Sequence, residues 1–252
     1  MNVVIIGSGN VASVLGRMMQ QHQINILQVV SRDIKNAQLL ADKLKTTYCD
    51  FTGNIESNAD LYIMALSDKA LYADFSFLKI NNKPIVHTAA SVSKNILQKI
   101  SDNYGVLYPL QTLHKNNKET PLIPFLIDGN NEVTLSLIRS FAKIISEKVE
   151  VADDETRLKL HVAAVIVNNL SNHLLSLTES FCKKEHVNFE LLKPLIEETF
   201  NRILHASPSE VQTGPAKRKD QETIDKHISI LNNHTELQQV YKMLSESIVN
   251  NQ

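Results

Sequence analysis

The sequence predicts an α/β protein in which a doubly wound parallel sheet over residues 1–150 is followed by a small all-helical domain over residues 151–252. Two observations predict this division. Short apolar runs alternate with amphipathic stretches in the first part, whereas only helix-length patterns follow in the second. Strands that alternate with helices are typical of βαβ units, whose right-handed crossovers bring the carboxyl ends of the strands to one edge, where ligands bind.

Six short apolar runs are predicted to be the strands of the sheet. They are rich in Val, Ile and Leu along their whole length, which is typical of strands buried on both faces. They comprise residues 2–7, 24–31, 60–67, 83–90, 105–112 and 124–129. Helical patterns at 10–22 and 33–44 separate the first three runs, as a parallel sheet requires.

The second part begins with an acidic helix start, Asp153 to Thr156, which suits the positive end of a helix dipole. The stretch 157–181 that follows is long enough for a helix and apolar on most of its circumference. Further helices are predicted near 189–204, 221–232 and 236–248. Since so small a domain cannot cover so apolar a helix by itself, the sequence predicts a homodimer in which a two-fold related copy covers it.

The composition limits the classes of function. The chain has 252 residues, of which 43% are hydrophobic and 21% charged, with a net charge of -1. This balance is ordinary for a globular protein and argues against a nucleic-acid binder. No run approaches the roughly 18 apolar residues that span a bilayer, and no secretory signal is visible, so a cytoplasmic protein without a membrane partner is expected. Because the two cysteines and nine histidines lack ligand spacing, no metal site is expected.

The strongest local signal is a Gly-x-Gly-x-x-Ala pattern, Gly7, Gly9 and Ala12, directly after the first predicted strand. The first glycine permits a tight turn, the second lets the backbone approach a pyrophosphate, and the alanine lets the helix pack closely on the strand. The following helix start offers N–H groups to phosphates. The sequence therefore predicts a Rossmann-type dinucleotide site that includes Gly7, Ser8, Gly9, Asn10 and Val11. A glycine turn without a ligand is the alternative.

The second predicted strand ends in Ser31 and Arg32, where an NAD-preferring site would usually have an acidic residue. A guanidinium binds a 2′-phosphate bidentately, and Asp33 is expected to cap the next helix, so the predicted cofactor is NADP(H). An ordinary exposed charge is the alternative for Arg32. Ala65, Leu66 and Ser67 end another strand and are expected beneath the nicotinamide ribose. His87, in the predicted strand 83–90, is expected to form a hydrogen bond to backbone, and a side chain that points into the cleft is the alternative.

The chain also resembles known families. Its first part resembles the dinucleotide-binding domain shared by pyrroline-5-carboxylate reductases, F420-dependent NADP reductases and the 6-phosphogluconate and β-hydroxyacid dehydrogenases. The segments "YPLQTL" (108–113), "HVAAVIVNNLSNHLL" (161–175) and "TGPAKRKD" (213–220) together resemble the DUF2520 family of Rossmann-like proteins, over almost the whole chain. The resemblance implies a two-domain NADP-binding protein that dimerises through its helical part, and it implies no particular substrate. Lys219 departs from the family pattern, which usually has glycine there.

In the β-hydroxyacid dehydrogenases, a Lys and an Asn on the first helix of the second domain face the nicotinamide. The corresponding helix here offers His161, Asn168 and Asn172, which on a regular α-helix would form one stripe. We predict that His161 donates a proton, because imidazole titrates near neutrality, that Asn168 orients the substrate and that Asn172 contacts it. A structural polar network at an interface is the alternative.

Four further residues are candidate substrate contacts. Tyr108 and Gln111 lie in the predicted strand 105–112, where a turn at the strand end is the competing explanation. Lys217 and Arg218 follow a Gly-Pro turn, and Asp220 is expected to cap the helix at 221–232. Cations on a rigid loop suit an anionic substrate, or cofactor phosphates held by the other subunit, whereas an exposed basic turn is the alternative.

Together these features predict an NADP(H)-dependent oxidoreductase that acts on a small anionic carbonyl or imine compound, in a cleft between the two domains. The alternative is a non-catalytic NADP(H)-binding sensor or scaffold that dimerises through its helical domain. A shared fold does not by itself imply a shared function. The chemistry of the site therefore has to distinguish the oxidoreductase from the non-catalytic protein.

Overall fold

A single sheet of eight strands occupies the first part of the computed structural model, which describes residues 1–80, 82–117 and 121–251. In chain order the strands are β1 (Asn2–Ile6), β2 (Asn25–Val30), β3 (Thr47–Cys49), β4 (Leu61–Met64), β5 (Ile85–His87), β6 (Tyr104–Pro109), β7 (Phe125–Gly129) and β8 (Val149–Val151). Their spatial order is β3-β2-β1-β4-β5-β6-β7-β8. The predicted α/β class with a doubly wound sheet is confirmed.

Two details of the sheet differ from the prediction. The three-residue strands β3 and β8 lie in stretches that were not predicted as strands, because they are too short to show a periodic pattern. The sheet is also not wholly parallel, since β6 and β7 pair antiparallel. The described residues between β6 and β7 contain no helix, so the chain turns back instead of crossing over to a parallel position.

The α-helices of the described chain are α1 (Asn10–Gln21), α2 (Ile34–Leu44), α3 (Asp68–Leu71), α4 (Glu132–Ile145), α5 (Asp154–Ala164), α6 (Ser171–Lys184), α7 (Lys193–His205), α8 (Gln221–Ile230) and α9 (Thr235–Asn250). Short 3₁₀ helices cover Lys94–Leu97, Phe189–Leu192 and Leu231–Asn233. The predicted helix at 157–181 is interrupted, because Val165–Leu170 forms a π-helix between α5 and α6.

Capping side chains explain where several helices begin. Asp33 accepts hydrogen bonds from the backbone N–H groups of Lys35 (3.0 Å) and Asn36 (3.2 Å), as predicted. Asp153 caps α5, where its Oδ1 accepts from Thr156 N at 2.8 Å. These carboxylates satisfy N–H groups that have no partner within the helix, which fixes the first turn of each helix.

The core lies on both faces of the sheet. Successive residues of β1 alternate between the two faces, so Val3 and Ile5 belong to one apolar cluster and Val4 and Ile6 to the other. The first cluster includes side chains of α1, α2 and α4. The second is completed by apolar residues of α3 and of the irregular segments near it. Covered on both faces, the sheet provides the rigid edge on which the candidate site is built.

Contacts divide the chain into two units, Met1–Val165 and Ile166–Gln252. We call them the sheet unit and the helical unit. No strand follows Val151 among the described residues. The assignment of residues 1–150 to cofactor binding and of 151–252 to dimerisation stays a prediction.

Candidate functional site

The turn between β1 and α1 requires glycine at its first position. Gly7 has a φ of +126°, and its N–H donates to Val30 O at 2.7 Å. A Cβ at Gly7 would lie 2.2 Å from Ala65 O, which is far inside van der Waals contact. The absence of a side chain therefore lets the turn lie against the last residue of β2 and against Ala65, which follows β4.

Gly9 has a different role. It precedes α1 with a φ of −83°, which any residue adopts, and a Cβ there would meet nothing within 4 Å. The fold does not need glycine at this position, but the missing side chain leaves the start of α1 accessible. The first turn of α1 contains no acidic residue, so the positive end of the helix dipole is not neutralised by its own side chains.

Two adjoining cavities follow the carboxyl edge of the parallel strands. The Arg32 cavity has a volume of about 500 Å³, and the Tyr108 cavity has a volume of about 320 Å³. The ten residues predicted to bind the cofactor all line one or both of them, namely Gly7, Ser8, Gly9, Asn10, Val11, Ser31, Arg32, Ala65, Leu66 and Ser67. Both cavities share Gly9 and the segment 65–67, so together they form one groove across the glycine turn.

In the Arg32 cavity, the hydroxyls of Ser8 and Ser31 lie 2.9 Å apart and join the glycine turn to the end of β2. Arg32 is exposed and forms no ion pair with any described residue. Asp33 lines the same cavity, but its carboxylate is engaged in capping α2. The cavity therefore presents a guanidinium that is not in an ion pair, beside two hydroxyls, a donor set that suits a phosphate.

In the Tyr108 cavity, the hydroxyl of Tyr108 and Nδ1 of His161 lie 3.0 Å apart. Their rings meet edge to face, with centroids 6.0 Å apart and planes at 83°. Burial, and to a smaller extent the charge of Asp68, raises the pKa of the Tyr108 phenol. The phenol is therefore protonated at neutral pH, and the pair holds a proton at the cavity wall.

Beneath the Tyr108 cavity lies Arg157, a residue that the sequence analysis missed. Its side chain is 1% exposed. Its Nε donates to Ala90 O at 3.0 Å, and its Nη2 donates to Val92 O at 2.6 Å and to Asp154 Oδ1 at 2.7 Å. Arg157 thus ties the first turns of α5 to the segment after β5 that lines the cavity. The sequence did offer one signal for Arg157, because it lies one helical turn before His161, the predicted proton donor.

His87 ends β5 and is fully buried. Its Nδ1 accepts a hydrogen bond from Ala89 N at 3.2 Å, which confirms the predicted bond to backbone. Burial, followed by the positive charge of Arg157, lowers the pKa of His87 to about 4, and the Ser93 carbonyl opposes this slightly. His87 is therefore neutral at physiological pH and is a structural residue beneath the site.

Several predicted site residues lie outside the two cavities. Gln111 donates from Nε2 to Leu122 O at 3.2 Å and so supports the segment after β6. Asn168 and Asn172 are exposed side chains of the helical unit. The single stripe expected for them with His161 assumed a regular α-helix, whereas the chain between them includes a π-helix, in which successive residues have a different angular spacing. The shared stripe therefore stays a prediction.

The loop before α8 folds as a tight turn. Gly214 has a φ of +107°, and Asp220 caps α8 through Thr223 N at 3.1 Å, as predicted. Lys217 and Arg218 are exposed on this turn in the helical unit. Lys219 has a φ of +55°, a left-handed conformation that favours glycine. The glycine that the family resemblance leads us to expect at this position would adopt this conformation without strain.

Sequence reasoning missed other residues that line the cavities. The Tyr108 cavity includes Asp68 and the segment 88–90, and the Arg32 cavity includes Phe51, Asp74 and Phe75. Asp68 follows the predicted contact Ser67, and residues 88–90 end the predicted strand 83–90, whereas Phe51, Asp74 and Phe75 come from segments without a motif. Among the described residues, no group of three or more His, Cys, Asp or Glu side chains could hold a metal ion. No helix in the described ranges has the length and apolar character needed to cross a membrane.

Comparisons with known proteins show the family and the fold of the chain. A family described as a domain of unknown function, DUF2520, matches residues 123–248. A Bacteroides fragilis protein assigned as an NADP oxidoreductase is 33% identical, with a TM-score of 0.89 over 99% of this chain and 98% of that one. No curated protein sequence matches the chain.

Two more distant structures share the fold. A reductive aminase from Aspergillus terreus, in complex with NADPH and ethyl-5-oxohexanoate, is 15% identical, with a TM-score of 0.69 over 99% of this chain and 94% of that one. A 1-pyrroline-5-carboxylate reductase from Streptococcus pyogenes is 12% identical, with a TM-score of 0.63 over 99% of this chain and 98% of that one.

Proposed function

The chain belongs to the DUF2520 family, and from that premise we propose that it is an NADP(H)-dependent oxidoreductase. The Bacteroides fragilis protein supports this proposal, because its 33% identity extends over 99% of this chain and it is assigned as an NADP oxidoreductase. The observation that carries the proposal is the continuous groove along the strand ends, with Arg32 in one cavity and the Tyr108–His161 pair in the other.

The residues present fit a dinucleotide. Gly9 leaves open space at the start of α1, where the pyrophosphate would accept hydrogen bonds from the N–H groups of the first turn. Ala65 to Ser67 border both cavities and would lie along the nicotinamide ribose. Arg32 and Ser31 would hold the 2′-phosphate of NADP(H). Because Asp33 caps α2, its carboxylate is not available as the acceptor that an NAD site provides.

NADPH, when bound, would supply a hydride to a carbonyl or imine carbon in the Tyr108 cavity. The phenol of Tyr108 would donate a hydrogen bond or a proton to the reacting group, and His161 would hold that phenol in place and replace its proton. Asn168 and Asn172 stay proposed substrate contacts, as does Gln111. Lys217 and Arg218 are proposed to bind an anionic substituent of the substrate.

We also propose that the protein is a homodimer. The helical unit exposes many large apolar side chains, among them Val167, Leu170, Leu191 and Leu204. It also contains an apolar cavity of about 540 Å³ between α6 and the segment from α8 to α9. Because water-exposed apolar surface on this scale is costly, a second copy of the same unit is the proposed cover.

The cofactor proposal is tested by titrating the protein with NADPH and with NADH. Wild-type protein is expected to bind NADPH more tightly. Arg32→Ala should weaken NADPH binding by about 1.5–3 kcal/mol, the contribution of a charge-assisted hydrogen bond, and leave NADH binding unchanged. Lys35→Ala, which removes a charge from α2 outside both cavities, is the control and should bind as wild type does.

Equal affinity for the two cofactors in wild-type protein, unaffected by Arg32→Ala, would contradict the proposal. Turnover separates the enzyme from a non-catalytic sensor or scaffold. NADPH oxidation with keto acids, aldehydes or imines supports the enzyme, whereas tight NADPH binding without turnover across such a panel favours the sensor.

A further inference from the structure

The Tyr108 cavity carries a negative charge. Asp68 is the one Asp, Glu, Lys or Arg among the described residues that line it. The other lining residues offer hydroxyl, amide, imidazole and apolar groups. A bound substrate would therefore meet a carboxylate in this cavity, and no lysine or arginine of the lining set neutralises it.

The carboxylate of Asp68 is held in a defined position. Asp68 is the first residue of α3, directly after the segment 65–67 that borders both cavities. The hydroxyl of Ser91, in the segment after β5, donates a hydrogen bond to its Oδ2. Asp68 also helps to raise the pKa of the Tyr108 phenol, and this effect is larger than the opposite effect of Arg157, whose guanidinium is paired with Asp154. The negative charge of Asp68 therefore acts on the Tyr108 hydroxyl, which would contact the reacting group.

This charge discriminates between the two substrate classes of the proposed function. When a hydride adds to a carbonyl carbon, negative charge develops on the oxygen, and a neighbouring carboxylate opposes it. When a hydride adds to a protonated imine, positive charge disappears from the nitrogen. A carboxylate also favours the protonated form of a nearby base, and protonation makes the imine carbon electrophilic.

We propose that Asp68 is a specificity-determining residue that selects a cationic reacting group, so that the substrate is reduced as a protonated imine. The inference rests on the proposed function and deepens it. It concerns the reacting C=N group alone, and not the anionic substituent proposed for Lys217 and Arg218.

The reaction balances with the reductant already proposed. The imine carbon gains the hydride supplied by NADPH, the π pair of the C=N bond moves to nitrogen, and the iminium ion becomes a neutral amine as NADP⁺ forms. The amine then takes a proton from solvent. The hydride step needs no proton donor, so Tyr108 and His161 orient the N–H of the iminium ion in this reaction.

A pair of ring-matched probes tests the charge preference without turnover. Calorimetry on the protein saturated with NADP⁺ compares pyrrolidine, a cation at neutral pH, with cyclopentanol, which is uncharged. Wild-type protein should bind pyrrolidine about tenfold or more tightly than cyclopentanol, because the Asp68 carboxylate attracts the cation. Asp68→Asn should bring the two affinities to within about threefold of each other.

Asp68→Asn keeps an oxygen that can accept from Ser91, so the loop contact is retained. Asp42→Asn, which removes the same charge from α2 outside both cavities, is the matched control and should keep the wild-type ratio. A turnover assay with NADPH adds a second readout: 1-pyrroline should be reduced faster than cyclopentanone, and Asp68→Asn should reduce that advantage.

A pyrrolidine-to-cyclopentanol ratio that is the same in wild type and Asp68→Asn, or a wild-type preference for cyclopentanol, would overturn the inference. The NADPH titration distinguishes this failure from failure of the proposed function. If the protein binds NADPH but shows no preference for the cation, only the role proposed for Asp68 is refuted. If it does not bind NADPH, both the proposed function and this inference are refuted.

Discussion

The sheet unit and the helical unit differ in how far each buries its own apolar side chains. In the sheet unit, both faces of the sheet are covered, and residues such as Ile5 and Phe141 are fully buried. In the helical unit, the described buried hydrophobic residues are Cys182, Ala216, Ile224 and Leu231. The comparison indicates that the sheet unit is stabilised by its own core, whereas the helical unit leaves most of its large apolar side chains outside a core of its own, as the proposed dimer requires.

The same contrast applies to the candidate sites. The two cavities of the groove are lined wholly by residues of the sheet unit. The polar candidates of the helical unit, Asn168, Asn172, Lys217 and Arg218, are exposed. The cofactor proposal therefore depends on one unit, and the dimer proposal depends on the other. Variants in each unit can test them separately.

The largest effect is expected at the glycine turn of the sheet unit. Gly7→Ala should lower the free energy of unfolding by about 3 kcal/mol, because the new methyl would overlap Ala65 O and the backbone φ is unfavourable. Gly9→Ala is the matched control and should change stability by less than about 0.5 kcal/mol. It should nevertheless weaken NADPH binding. Urea unfolding and cofactor titration measure the two effects, and equal stability losses in both variants would contradict this account.

A pH-dependent effect of similar size is expected from the interior of the sheet unit. The pKa of His87 falls from 6.5 to about 4 on folding. The unfolded state therefore binds more protons between these pH values. The contribution of neutral His87 to the free energy of unfolding is fully present above pH 6.5 and is lost as the pH falls towards 4. The loss should reach about 3 kcal/mol near pH 4. Denaturant unfolding at several pH values measures it.

His87→Asn should flatten that pH dependence. His234 provides the control in the helical unit, because it is also buried but lies 2.7 Å from the Glu185 carboxylate. His234→Asn should leave the acid-dependent loss of the sheet unit in place. If the stability loss between pH 6.5 and 4 persists in His87→Asn, another titrating group causes it.

The next effect compares two exposed valines, one in each unit. Val167 in the π-helix is 65% exposed, and Val133 on α4 is 77% exposed. If a second copy covers the helical unit, Val167→Glu should weaken dimerisation by at least about 1.5 kcal/mol, the value of burying a valine. Val133→Glu should have no effect. Analytical ultracentrifugation measures both, and a wild-type monomer at micromolar concentration would refute the dimer.

The smallest effect is expected at two left-handed residues, Lys219 in the helical unit and Gln23 in the sheet unit, with φ values of +55° and +56°. Lys219→Gly should raise the free energy of unfolding by about 0.5–1 kcal/mol, because glycine adopts this conformation without strain. Gln23→Gly should do the same for the sheet unit. A stability loss in Lys219→Gly would show that the lysine side chain makes a stabilising contact that outweighs the strain.

Local patterns explain which parts of the structure could be predicted. The predicted strands and helices with strong periodicity were found close to their expected bounds, because period and capping depend on neighbouring residues. Gly7 and Gly9 could be assigned for the same reason, since the motif lies within one strand–turn–helix segment. Asp33 and Asp220 cap helices as predicted.

Features that depend on distant residues could not be predicted. The antiparallel pairing of β7, the short strands β3 and β8, and the π-helix have no local signature that distinguishes them. Arg157 has no local signal of burial, yet its side chain is buried and bonds to carbonyl groups more than sixty positions earlier in the chain. Strands β4 and β6 end at the same edge of the sheet. Asp68, which begins α3 just after β4, therefore lines the same cavity as Tyr108 of β6.

The sequence by itself determined that this chain forms a doubly wound sheet followed by helices, and that a glycine turn with Ser31 and Arg32 lies at the strand ends. Periodicity, capping residues and glycine spacing are short-range properties, so a single chain displays them. The tertiary structure decided that these residues border one continuous groove, that Tyr108 meets His161, and that Asp68 adds a negative charge there. Those facts depend on long-range strand order and burial, which bring together residues that are distant in the sequence.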